Sequence, residues 1–85
     1  MNLIPSARFI DDLGKLEKGN SRLKRAIGKT LNHIRVNPAY PGLRLHKLSG
    51  KEIYSVSVTP SIRIIFAWYG DEAHLLRIGS HEEVY

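Results

Sequence analysis

Side chains suited to acid–base and phosphate chemistry occur at intervals through the second half of the chain. A histidine can move a proton near neutral pH, and an arginine fork can clamp a pair of phosphate oxygens. RNA scission by the neighbouring 2′-hydroxyl requires groups of this kind, because one removes the 2′-OH proton, another protonates the departing 5′-oxygen, and cations stabilise the phosphorane. The candidates for this chemistry are His46, Arg63, Arg77, His81 and Tyr85.

Other reaction types have less support in the sequence. No pair of histidines has the i, i+4 spacing of a helical zinc motif, and no carboxylate cluster accompanies them, so no metal site is expected. No serine lies in a Gly-x-Ser-x-Gly elbow, which argues against a nucleophilic triad. We read the two remaining histidines, His33 and His74, as surface or capping residues. The chemistry that remains calls for neither a metal nor an organic cofactor.

Each candidate also has a structural interpretation when it is taken alone. Arg63 lies within a very apolar strand and could serve as a salt-bridge partner or a snorkelling side chain. Tyr85 could fill the end of the sheet. The apolar residues Ile64, Phe66 and Trp68 are expected in the core before they are expected in a base-stacking platform. The functional hypothesis therefore depends on whether the fold brings the candidates together.

The elements that must position these residues begin with two helices. After a short apolar segment, Met1–Ile4, that could add an edge strand, apolar residues recur at helical spacing from Ser6 to Lys18, with Ser6 as the N-cap. Gly19-Asn20 ends this helix. A second amphipathic helix runs from Ser21 to Asn37-Pro38. The pattern predicts a helical hairpin whose apolar stripes cover a sheet.

The second half changes to the period of β-strands. A loop over 37–42 precedes an alternating strand over 43–48, and Ser49-Gly50 is predicted to be a turn. Further strands are predicted over 53–58, 62–69 and 73–78, and the order (β)ααββββ indicates an α+β fold. The predicted architecture is a two-helix hairpin on one face of a mainly antiparallel sheet of four to five strands, with the other face open to a ligand. His46, Arg63 and Arg77 would lie on strands of this sheet, with His81 and Tyr85 just past the last one, and neighbouring antiparallel strands could bring these groups together on one face.

Composition sets outer limits on these interpretations. The 85 residues give one domain, 1–85, and the 42% hydrophobic and 25% charged fractions are typical of a globular protein. There is no cysteine, no apolar run near the roughly 20 residues of a membrane span, and no signal-peptide pattern. A cytoplasmic protein without a membrane partner is the expectation.

The charge is unevenly distributed along the chain. Residues 1–50 contain ten Lys/Arg against three Asp/Glu, whereas residues 51–85 contain three against five. The net charge is +5 and the pI is about 9.8. A basic surface attracts polyanions, although charge alone does not distinguish such a surface from a solvated, solubilising face.

Over nearly its whole length the chain resembles the RelE/ParE superfamily of type II toxins, and most closely its YafQ and RelE mRNA interferases. The residues that carry the resemblance are the opening Ser6–Leu13, the helical hairpin, His46-x-Leu48-x-Gly50, the strand Ile62–Phe66, and the ending Arg77-Ile78-Gly79-Ser80-His81. The resemblance implies a ribosome-dependent endoribonuclease that acts on mRNA in the ribosomal A site, together with a cognate antitoxin partner. A small-molecule substrate is not implied.

The resemblance also implies roles for individual residues. His46 matches a catalytic histidine and His81 the proton-transfer histidine, which we assign as base and acid, respectively. Arg77 matches a phosphate-stabilising arginine, Arg63 a strand arginine near the scissile phosphate, and Tyr85 an aromatic that orients the substrate. The sequence departs from the YafQ pattern at Ser57 and Ser61, where YafQ-type members have a histidine and an aspartate. Ile62 replaces an aromatic residue, and Ile53–Val58 lacks the lysines of RelE-type members.

Two other functions are compatible with the sequence. A ParE-like toxin would inhibit DNA gyrase by protein–protein contact and would need no catalytic histidine. A non-catalytic RNA-binding module would use the basic helices alone and would show salt-dependent binding without cleavage. The sequence does not choose a codon preference, an antitoxin or an oligomeric state.

Overall fold

The computed structural model describes residues 1–48 and 52–85, so the predicted turn at Ser49-Gly50 lies outside the described residues. Its elements confirm the predicted α+β fold, with helices covering a five-stranded mixed sheet. In chain order they are β1 Asn2–Pro5, α1 Ala7–Glu17, α2 Ser21–Val36, a 3₁₀ turn Pro41–Leu43, β2 His46–Leu48, β3 Ile53–Ser57, β4 Ile62–Tyr69, β5 Glu72–Ser80 and α3 His81–Val84. In the described part of the chain, no helix combines the length and apolar character that a bilayer crossing requires.

The helical hairpin has the boundaries that its capping residues indicate. The Ser6 hydroxyl accepts the backbone N–H of Phe9 and caps α1, as predicted. The side chain of Asn20 does the same for α2 by accepting the N–H of Leu23. Gly19 adopts a positive φ of 68° in the turn between the helices, a conformation that glycine tolerates without strain.

The sheet has the strand order β1-β5-β4-β3-β2. Strands β2 to β5 form an antiparallel meander, while β1 pairs with β5 in parallel. The connection from β1 to β5 runs through the helical hairpin and strands β2 to β4, which gives the long crossover that a parallel pairing needs.

One predicted strand is shorter than the alternating pattern suggested. The strand expected over 43–48 begins only at His46, because Pro41–Leu43 forms a 3₁₀ turn and Arg44 follows with a left-handed φ of 52°. A strand cannot continue through that backbone conformation. Leu43 is instead buried in the core.

The two faces of the sheet differ in their cover. Val56, Ile64 and Ile78 pair across three strands and pack in the core with α-helical residues such as Phe9 and Ile27. The opposite face carries Ser55, Ile65 and Arg77 in one cross-strand row and Ser57, Arg63 and Gly79 in the next. We call this second surface the open face because the helical hairpin does not cover it. It is less open than predicted, since the short helix α3 packs over part of it and Ser55 and Ile65 are buried there. The candidate site is built on this face.

Candidate active site

A β-bulge in β5 determines the face on which Arg77 lies. Ile65 pairs with Arg77 and Phe66 pairs with Leu75, so Leu76 is the extra residue and the register shifts by one. Without this shift Arg77 would pair with Ile64 and point into the core. The bulge instead places Arg77 in the row of Ile65 on the open face, as bulges often re-aim side chains beside functional sites.

That row continues to the other edge of the sheet. Ile65 pairs with Ser55, and Ser55 pairs with His46 on β2. Side chains of directly paired residues lie on the same face, with Cβ atoms about 4.5–5.5 Å apart. The exposed imidazole of His46 therefore lies beside Ser55 on the open face.

The short helix α3 brings His81 and Tyr85 over the same face. The Ser80 hydroxyl accepts the backbone N–H of Glu83, and the Glu83 carboxylate accepts the N–H of Ser80, forming a capping box. The hydrogen bond from the Ser80 backbone lowers the pKa of Glu83, which keeps this carboxylate ionised. Gly79 lets the helix approach, since a Cβ there would lie 3.1 Å from Cγ1 of Val84.

Three polar side chains meet at the centre of this surface. The Tyr85 hydroxyl donates a 2.6 Å hydrogen bond to Oγ of Ser55, and Nη1 of Arg63 donates to the same oxygen at 3.4 Å. Ser55 is completely buried. The ring of His81 lies against the ring of Tyr85, with 4.1 Å between their centroids. We call Ser55, Arg63, His81 and Tyr85 the serine cluster.

Arg77 shares the row of the serine cluster but makes a different interaction. Its Nε donates to Oδ2 of Asp12 at 2.8 Å and its Nη2 to Oδ1 at 3.4 Å, a bidentate ion pair with α1. Asp12 also accepts the backbone N–H of Ile78 at 3.2 Å. Ser6 donates hydrogen bonds to the carbonyls of Leu75 and Leu76. Asp12 and Ser6 therefore supply hydrogen-bond partners for the backbone of β5 beyond the end of β1, where no neighbouring strand in the described part of the chain does so.

The ion pair fixes the charge of both partners. Burial alone would raise the pKa of Asp12, but the hydrogen bonds from Arg77 and Ile78 outweigh it and hold the pKa below the ordinary value of 3.8. The hydrogen bond to Asp12 in turn raises the pKa of Arg77. Arg77 is therefore a permanent cation whose position is set by α1.

The five residues proposed from sequence thus fall into three groups. Arg63, His81 and Tyr85 come together in the serine cluster, and His46 lies beside Ser55 at the strand edge. Arg77 lies in the same row and is anchored to Asp12. Gly50 of the His46-x-Leu48-x-Gly50 pattern falls outside the described residues. Catalytic roles for all five remain predictions.

Two residues of the site were not identified from sequence. Ser55 alternates with apolar neighbours and reads as an ordinary surface position, because the tyrosine that is hydrogen-bonded to it lies 30 residues later in the chain. Asp12 lies beside the apolar stripe of α1 in the sequence. Its burial, with only 9% of the residue exposed, was not predicted. A buried carboxylate of this kind requires a cationic partner.

The fold has close counterparts among solved structures. The chain superposes on a metal-bound toxin from Helicobacter pylori with a TM-score of 0.83 and 23% identity, covering 100% of this chain and 99% of that one. A YoeB/ParE toxin from Agrobacterium tumefaciens gives 0.82 and 16%, with coverage of 95% and 99%. A chain of the DinJ–YafQ complex from E. coli gives 0.77 and 20%, with coverage of 99% and 97%.

Sequence comparison adds nothing to this result. Neither a family model nor a curated protein matches the chain. At identities of 16 to 24%, the structural likeness establishes the architecture and leaves the activity to be argued from the site. The chain has the fold of the RelE/ParE toxin superfamily.

Proposed function

We propose that the protein is the toxin of a toxin–antitoxin pair and that it is an endoribonuclease that cleaves mRNA in the ribosomal A site. The observation that carries the proposal is the serine cluster on the open face, where a cation, an imidazole and a phenol lie together. A second imidazole, His46, lies in the row of Ser55. These groups match what scission by the 2′-hydroxyl requires, and the superfamily fold supports a toxin role.

The proposed mechanism assigns one step to each group. His46 removes the proton of the 2′-hydroxyl as this oxygen attacks phosphorus, and the bond to the 5′-oxygen breaks. His81 protonates that departing oxygen. The products are a 2′,3′-cyclic phosphate and a 5′-hydroxyl, so protons and atoms balance without water or a metal ion.

The arginines stabilise charge in this scheme. Arg63 is held by Ser55 near His81 and Tyr85, where it offers the rest of its guanidinium to the phosphorane. Arg77 has two of its nitrogens bound to Asp12, so it acts through its fixed positive charge at the end of the row. Tyr85, half exposed with its hydroxyl fixed, orients the substrate.

The proposed partner is an antitoxin, as in the DinJ–YafQ complex. A net charge of +5 favours an acidic antitoxin segment that becomes ordered on binding. The same charge favours contact with ribosomal RNA around the A site. A cytoplasmic location is part of the same proposal, since the ribosome and its mRNA are found there.

The test is a cleavage assay on a translating ribosome–mRNA complex in which the cut ends are mapped. The wild-type protein is expected to cut in the A site and to leave a 2′,3′-cyclic phosphate. His81→Ala is expected to abolish cutting, and naked mRNA is expected to remain intact. His74→Ala is the matched control, since His74 lies near Glu72 at the other end of β5, and this variant should cut normally.

The same assay can reject the proposal. Absence of cutting by the wild-type protein would reject the proposed nuclease activity and favour a toxin that acts through protein contact, such as a gyrase inhibitor. Normal cutting by His81→Ala would support the nuclease activity but reject the role of His81 in proton transfer.

A further inference from the structure

Two cavities of about 380 and 330 Å³ lie side by side, and the second is lined by Arg63 of the serine cluster. The first lies between α2, the 3₁₀ turn and the end of β3, and the second lies between the 3₁₀ turn and the β3–β4 turn. They share Gly42, Ser57 and Val58, so they form one continuous groove. We call it the basic groove, and its principal lining residues are Lys29, His33, Tyr40, Gly42, Arg44 and Arg63.

The charge of the basic groove has one sign. Lys29, Arg44 and Arg63 are cationic, and among the residues that the structure describes no Asp or Glu lines either cavity. A concave surface lined by one sign of charge concentrates counter-ions of the opposite sign. The groove therefore fits a polyanion.

The basic groove is continuous with the proposed active site. Arg63 lines the second cavity and donates to Ser55 of the serine cluster. Ser57, which lines both cavities, is the cross-strand partner of Arg63. A chain that places one phosphate at the serine cluster can therefore continue past Arg63 into the groove.

The wall of the groove is shaped by specific local contacts. Tyr40 stacks on His33 with nearly parallel rings 4.3 Å apart, and 44% of Tyr40 remains exposed. A Cβ at position 42 would lie 2.6 Å from Cε2 of Tyr40, so a larger residue there would require the Tyr40 ring to move. Arg44 holds a left-handed φ of 52°, a conformation that is uncommon outside glycine and is often found at functional sites.

We propose that the basic groove binds the single-stranded RNA segment that adjoins the scissile phosphate. Lys29 and Arg44 contact its phosphates, and Tyr40 offers an exposed aromatic surface to a base. This inference rests on the proposed function for the identity of the polyanion. It adds a second binding region, outside the serine cluster, for the strand that is cut.

Fluorescence anisotropy with a labelled, unstructured 12-nucleotide RNA tests the inference without ribosomes, at several salt concentrations. The variants are Lys29→Gln on α2 and Arg44→Asn, since Asn tolerates a left-handed backbone. Lys24→Gln is the matched control, because it removes the same charge from α2 five residues away and does not line the groove. Thermal unfolding of each variant checks that it is folded.

Each groove variant is expected to weaken binding three- to tenfold. Each should also reduce the slope of log K against log[salt] by about 0.7, the value for one phosphate contact with single-stranded nucleic acid. Lys24→Gln should leave the slope unchanged. Equal effects of Lys24→Gln and Lys29→Gln, or no binding of RNA by the wild-type protein, would overturn the proposal that the basic groove binds RNA.

The two proposals fail in different ways. The wild-type protein could cleave mRNA on the ribosome while both groove variants bind RNA normally. This result would support the nuclease activity and reject RNA binding by the basic groove. Binding that depends on Lys29 and Arg44, without any ribosomal cleavage, would reject the nuclease and keep an RNA-binding groove. If Arg44→Asn does not fold, the surface substitution Lys29→Gln decides the outcome.

Discussion

The Tyr85 hydroxyl donates a 2.6 Å hydrogen bond to Oγ of Ser55, joining the residue that follows α3 to the middle of β3. The two partners differ in exposure, since Ser55 is completely buried and Tyr85 is 51% exposed. The hydroxyl is therefore held in place while much of the ring remains accessible to a ligand. A side chain fixed at one end and accessible along its length is suited to position a substrate.

Removal of the Tyr85 hydroxyl is expected to reduce both cleavage and stability. Without the hydrogen bond to Ser55, Tyr85→Phe keeps the ring but loses its fixed position. We expect cleavage to slow about tenfold, equivalent to ~1.4 kcal/mol in the barrier. The free energy of unfolding should fall by about 0.5–1.5 kcal/mol, the usual contribution of one hydrogen bond.

The matched control is Tyr69→Phe, which removes a hydroxyl from an exposed tyrosine at the end of β4. It should change neither quantity. Cleavage at the same rate by Tyr85→Phe and wild type on ribosome-bound mRNA would show that the hydrogen bond does not position the substrate.

The approach of α3 to the sheet depends on Gly79. A Cβ at this position would lie 3.1 Å from Cγ1 of Val84 and 3.4 Å from Oε1 of Glu83. Gly79→Ala is therefore expected to push α3 away from β5 and separate Tyr85 from Ser55. Cleavage should fall about fivefold, or ~1 kcal/mol, which single-turnover cleavage would detect.

Gly14→Ala provides the contrast for this substitution. A Cβ at Gly14 would meet nothing within 4 Å, and glycine within a helix costs about 0.5–1 kcal/mol relative to alanine. This variant should be more stable and equally active. A Gly79→Ala protein with full activity would show that α3 tolerates displacement.

The guanidinium of Arg63 has several nitrogen donors in a fixed planar arrangement. One nitrogen reaches Ser55 while the others remain for a phosphate, an arrangement that the single ammonium of lysine cannot reproduce. Arg63→Lys is expected to lower cleavage about tenfold, or ~1.4 kcal/mol, with little change in thermal stability. Arg35→Lys, which alters an exposed arginine bonded to Asn32, is the control and should remain active.

The helices α1 and α2, the strands and the sharing of one face by His46 and Arg63 followed from the period of apolar residues and from capping residues such as Ser6. The short helix α3 was not predicted. The bulge in β5 also left a signal in the sequence, since the apolar phase shifts between Leu75 and Ile78. Such a shift can be recognised from sequence, although the prediction of a plain strand over 73–78 did not include it.

Other features depended on contacts between residues far apart in the chain. Ser55 accepts a hydrogen bond from Tyr85, 30 residues later, and Asp12 accepts one from Arg77, 65 residues later. Local periodicity carries no information on such pairs. The prediction of a strand from position 43 was wrong because alternation alone does not show that Arg44 adopts a positive φ.

The ion pair between Asp12 and Arg77 makes stability dependent on pH in a defined direction. Because the folded protein holds the pKa of Asp12 below 3.8, ionised Asp12 stabilises the fold above that pH. This contribution is lost as the pH falls through the lowered pKa. Asp12→Asn is therefore expected to cost about 1–3 kcal/mol at pH 7, through loss of charge-assisted hydrogen bonds to a buried acceptor, and less below pH 4.

Urea denaturation of wild type and Asp12→Asn at pH 7, 5 and 3 measures this effect. Asp11→Asn is the control one position earlier, where an exposed i, i+4 pair with Lys15 contributes about 0.3–0.5 kcal/mol. The gap between wild type and Asp12→Asn should narrow from pH 5 to pH 3. A gap of constant size across this range would show that Asp12 stabilises the edge of β5 through its hydrogen-bond geometry alone and not through its charge.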